Sequence, residues 1–79
     1  MPTQQKWEAD ISKFLKGKTI KAVRYMSQDE KEQYMWDSRP LAIFFTDGSF
    51  IFPMADDEGN DGGALCTSSK ELPVIPVMW

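Results

Sequence analysis

Residues 41–52, LAIFFTDGSFIF, restrict the fold of this chain more than any other segment. The run LAIFFT is apolar on both faces and rich in β-branched and aromatic residues, which reads as a buried strand. Asp47-Gly48 follows it, the preferred pair for a type I′ hairpin turn. The chain then returns over residues 49–54, with Phe50, Phe52 and Met54 on one face. Pro53 has no amide proton to donate to a ladder, so it marks an edge, a bulge or the strand's end. An antiparallel hairpin over 41–52 is therefore predicted, and the rest of the chain must be arranged around it.

Little chain is available for that purpose. The 79 residues allow one domain, 1–79, which buries only about 60% of the surface its unfolded form exposes. A single cysteine rules out an intrachain disulfide, so packing must supply the stability. Three Trp, two Tyr and five Phe can do so, as each buries a large area. With 42% apolar and 27% charged residues, the composition is that of a globular domain and excludes disordered, collagenous and membrane-embedded classes. No apolar run resembles a signal peptide or a membrane span. One free thiol fits a reducing, cytoplasmic location. Cys66 has no histidine anywhere in the chain to activate it, and it reads as a small core residue.

The remaining elements follow from periodicity and punctuation. Trp7, Ile11, Phe14 and Leu15 form an amphipathic stripe over residues 3–16; Thr3 can cap its start and Gly17 stops it. Residues 19–26 read as a strand. Ser27, Gln28, Asp29 and Glu30 form a capping box that opens a short helix over 28–36. Asp37 to Pro40 read as a loop, because the residue before a proline avoids the helical region. The stretch DDEGNDGG at 56–63 is a loop, 64–67 a short strand, and LPVIPVMW at 72–79 an extended segment over the core, closed by Trp79. The expected fold is α+β: an N-terminal helix packed on a three- to five-stranded antiparallel sheet with a central DG hairpin and a short inserted helix.

The net charge of −3 conceals an asymmetry. Residues 1–40 hold eight cations against six acids, and residues 41–79 hold one cation against six acids. Lys13, Lys16, Lys18, Lys21 and Arg24 make up a basic patch that could meet phosphates or an acidic protein, or be paired with the chain's own acids. Asp56, Asp57, Glu58, Asn60 and Asp61 supply hard oxygen ligands beside glycines that let the backbone curl, which is how Ca²⁺ is commonly held. The EF-hand template fails, however, with Gly59 and Ser68 at positions that need ligands. The same acids could equally be solvated or serve to cap turns. Asp56, Asp57, Asn60 and Asp61 are the candidate metal ligands.

The segment from Gly17 to Cys66 resembles a pattern found in small uncharacterised bacterial proteins. It is carried by Gly17-Lys18-Thr19-Ile20, Val23-Arg24-Tyr25, Asp47-Gly48-Ser49 and the run from Asp56 to Leu65, DDEGNDGGAL. The resemblance implies a compact domain of bacterial or phage source, and no activity or site residue comes with it.

Catalytic motifs are lacking: the chain has no histidine, no G-x-S-x-G and no complete P-loop, since Ser12 stands where the glycine before Gly17-Lys18-Thr19 would have to be. Pro73 and Pro76 give a P-x-x-P spacing, but Val74 and Ile75 between them read as core. A noncatalytic protein-interaction or regulatory module without a cofactor, working through a polarised surface of acidic loop against basic helix and strand, is the reading these observations favour. Its expected partner is a protein rather than a nucleic acid or a membrane, acting on a monomer or homodimer. The alternative is Ca²⁺ binding through the acidic loop.

Overall fold

A computed structural model describes residues 3–79. Seven elements succeed one another: α1 (Gln4–Leu15), β1 (Ile20–Tyr25), α2 (Gln28–Gln33), β2 (Leu41–Phe45), β3 (Phe50–Ile51), β4 (Leu65–Cys66) and β5 (Val74–Ile75). The fold is α+β, with the N-terminal helix, the inserted helix and the central hairpin in the expected order. The strands divide into two antiparallel sheets, one of order β1-β2-β3 and a smaller one of β4 and β5.

The β2–β3 hairpin pairs Ile43 with Ile51 and Phe44 with Phe50. Its turn differs from the type I′ expectation. Phe45 N–H donates to the Ser49 carbonyl at 2.9 Å and Gly48 N–H to the Phe45 carbonyl at 3.1 Å, so the loop has three residues, Thr46 to Gly48. Only Gly48 in this loop takes a positive φ, 91°, whereas a type I′ turn needs two such residues. The Asp47 carboxylate accepts from Ser49 N–H at 2.9 Å, which favours the longer loop by closing an Asx turn inside it.

α2 is shorter than the 28–36 expected. Its capping box forms as read: Ser27 Oγ accepts from Glu30 N–H at 3.1 Å, and the Glu30 carboxylate from Ser27 N–H at 2.8 Å. The helix ends in a Schellman motif, with Met35 N–H donating to the Glu32 carbonyl at 3.0 Å and Trp36 N–H to the Lys31 carbonyl at 3.1 Å. Met35 occupies the left-handed position, φ 60°, usually held by glycine. That reversal carries Trp36 inward, where its ring stacks on Tyr34 at 4.8 Å and meets Phe52 edge-on at 5.8 Å. Met26, Trp36, Ala42 and Phe45 form the buried apolar core, with Ser38 and Pro40 fully enclosed beside it.

The C-terminal segment lies on its own domain. β5 pairs with β4, Arg39 and Met78 exchange backbone hydrogen bonds at 2.7 and 2.9 Å, and Tyr25 Oη donates to the Pro76 carbonyl at 2.8 Å. Two expectations are corrected here. Trp79 projects into solvent, since the Arg39 and Gln28 side chains hold its carbonyl rather than its ring. Cys66 is exposed, because its strand belongs to the small outer sheet.

Packing of α1 is confined to its last turn. After Leu15 the chain passes through Lys16 and Gly17 (φ 79°), which sets the helix end beside the Thr46–Gly48 turn. There Lys18 Nζ lies 4.2 Å above the Phe14 ring and 5.6 Å above that of Phe45. The stripe as a whole is only half covered: Trp7, Ile11 and Phe14 are 57%, 48% and 44% exposed.

Candidate functional site

The basic patch is built at the junction of α1 and β1, where Lys13, Lys16 and Lys18 line one hollow, while Lys18 and Arg24 are also paired with the chain's own acids. Lys18 Nζ donates to the Asp47 carboxylate at 2.6 Å and to Ser49 Oγ at 2.8 Å, which ties the start of β1 to the hairpin turn. The carboxyl of Asp47 is held well below the usual carboxylate range by the Lys18 ammonium and then by Ser49. Arg24 makes a two-pronged contact with Glu30 at 2.8 and 3.2 Å, and its guanidinium lies 4.9 Å from the Phe44 ring. This contact, followed by the Ser27 amide of the helix cap, lowers the Glu30 pKa to about 2. Lys13, Lys16 and Lys18 together line a shallow hollow of about 350 Å³ with Phe14, Thr19, Thr46 and Asp47. Lys21 is exposed on β1.

The acidic loop is folded onto itself and onto the chain before β2. Asp56 accepts from Glu58 N–H at 3.0 Å, Asn60 N–H at 3.3 Å and Asn60 Nδ2 at 2.9 Å, so its carboxylate closes the turn it opens. Asp61 Oδ1 accepts from Ser38 N–H at 3.1 Å, Ser38 Oγ at 2.8 Å and Gly62 N–H at 2.8 Å. Both carboxyls are lowered, Asp56 chiefly by Asn60 and Asp61 chiefly by Ser38. The Gly59 carbonyl accepts from Trp36 Nε1 at 2.8 Å. At the tip Asp57 and Glu58 are exposed. Among the described residues no three acidic or thiol side chains converge as a metal site would require. Asp56 turns to the backbone and the Asn60 side chain of its own loop, and Asp61 to Ser38 and the Gly62 amide.

The apolar stripe of α1, expected to pack on the sheet, is about half exposed. The face of β1 that carries Ile20 and Val23 is likewise uncovered, with those residues 57% and 53% exposed. The two features meet through Phe14, Lys18 and Phe45, since Phe45 is the register partner of Ile20. On the other face Tyr34 and Phe50, about half exposed, flank a narrow groove of about 100 Å³ whose rim holds Glu30, already paired with Arg24. No local signal in the sequence marks the helix as uncovered: the four residues Lys16 to Thr19 between α1 and β1 are an ordinary helix-to-strand connection. No helix among the described residues is long and apolar enough to cross a membrane. Searches against protein-family models, curated proteins and solved structures return no match for this chain.

Proposed function

We propose that the chain is a noncatalytic protein-interaction module that binds through the apolar surface formed by α1 and the adjacent face of β1. The observation that carries this reading is the stripe Trp7, Ile11 and Phe14, three large apolar side chains about half exposed along one helix face. The polar surface favoured by charge arithmetic is a weaker basis, because Lys18, Arg24, Asp56 and Asp61 are engaged within the chain. A photo-cross-linking residue at Ile11, with one at Asp57 as control, tests the reading. A discrete protein adduct from position 11, reduced by Trp7→Ala and absent from position 57, is expected. Failure of position 11 to capture any protein, including a second copy, would remove the basis for the proposal.

A further inference from the structure

β1 is the longest strand of the molecule and stands at an edge of its sheet, bonded to β2 on one side only. Five of its six residues are exposed. An edge of this kind offers a row of unpaired backbone groups to another strand, and compact domains usually cover or shorten it. The surface of the chain is also too large for its mass. Its 6214 Å² exceeds the roughly 4,900 Å² of a compact 9.1 kDa monomer by about 1,300 Å². The radius of gyration, 13.9 Å, is likewise above the approximately 11.6 Å of a compact chain of this length.

Building on the interaction reading above, we propose that the occupant of this surface is a second copy of the chain. In the resulting two-fold dimer, β1 pairs antiparallel with β1 of the partner, and the α1 stripes close over the Ile20 and Val23 face of the joined six-stranded sheet. An excess of about 1,300 Å² per chain matches one partner's share of an obligate dimer interface. A strand edge is also self-complementary under a two-fold axis, so each copy supplies what the other needs. Charge repulsion disfavours one neighbouring register. With Val23 on the axis, Lys21 lies opposite Tyr25 and Arg24 opposite Ala22, whereas a shift of one residue would place Lys21 opposite Arg24 and set two cations together.

Sedimentation of the full chain from low micromolar to submillimolar concentration is the first test, with a species of twice the 9.1 kDa mass expected. In a Cys66→Ser background, Val23→Cys should form an intermolecular disulfide on mild oxidation, and Ser69→Cys should not. Trp7→Ala with Ile11→Ser should weaken dimerisation at least tenfold while circular dichroism retains the strand signal. A chain that stays monomeric throughout overturns the dimer, and the Ile11 cross-link then decides separately whether another protein takes the surface. A dimer in which Val23→Cys fails to cross-link overturns the β1 pairing, and one indifferent to the helix variant overturns the role of α1.

Discussion

Asp61 and Ser38, 23 positions apart, are joined by two hydrogen bonds to one oxygen: Asp61 Oδ1 accepts from the Ser38 amide at 3.1 Å and from its hydroxyl at 2.8 Å. Ser38 is 1% exposed, so without this acceptor its amide would be left in the interior unpaired. Asp61→Ala should therefore lower the melting temperature by several degrees and disturb the fluorescence of Trp36. Asp61→Asn keeps an acceptor oxygen in place and should retain most of the stability. Equal loss in both variants would mean that the charge, not the acceptor, matters; no loss in either would show the contact to be idle.

Gly62 adjoins the same contact from the other side. A Cβ added there would lie 2.6 Å from Pro40 Cδ and 3.0 Å from Ser38 Oγ, and the proline ring is rigid and fully buried. Gly62→Ala should cost about 1–3 kcal/mol, as overpacking of a closed interior does. Urea unfolding measures it, and a midpoint equal to that of the native chain would contradict the close approach.

These contacts also mark where the sequence stopped being readable. The hairpin, the capping box of Ser27 and Glu30, and the Thr3 cap were legible because each is set by residues a few positions apart. The role of Asp61 was not, since its partner lies across the domain in a segment whose only local signal is a proline. Nor was the early end of α2, where an ordinary methionine takes a glycine's place. Amphipathicity located α1 and its apolar stripe correctly, but periodicity identifies a face without saying which surface covers it. The acidic loop stood out by composition, which did not show that Asp56 closes its own turn, that Asp61 reaches Ser38, or that Asp57 and Glu58 stay exposed.

Acid should destabilise the fold through its paired carboxylates. The Arg24 hydrogen bond and the helix cap lower Glu30 from 4.5 to about 2, and Asp47, Asp56 and Asp61 are lowered as well. Each group has a lower pKa folded than unfolded, so the unfolded chain takes up protons first as acid is added. Their stabilisation is complete above about pH 4.5 and is lost progressively as pH falls toward 2. Melting curves across this interval should shift steadily downward, and Arg24→Leu should flatten part of the slope. A melting temperature that holds or rises on acidification would contradict these pairings.

Met35 offers the opposite opportunity, a stabilising substitution. Its φ of 60° lies in the left-handed region, which costs a side chain bearing a Cβ roughly 1–2 kcal/mol, and its side chain is 84% exposed and contributes little packing. Met35→Gly removes the strain while keeping the Schellman hydrogen bonds that turn Trp36 inward. The glycine also gains freedom in the unfolded chain, which offsets part of the benefit, so a net gain of about 0.5–1 kcal/mol is expected. Met35→Ala keeps the Cβ and should show no such gain. If the glycine variant unfolds at lower urea than the native chain, Met35 is held by something other than the helix-ending geometry described above.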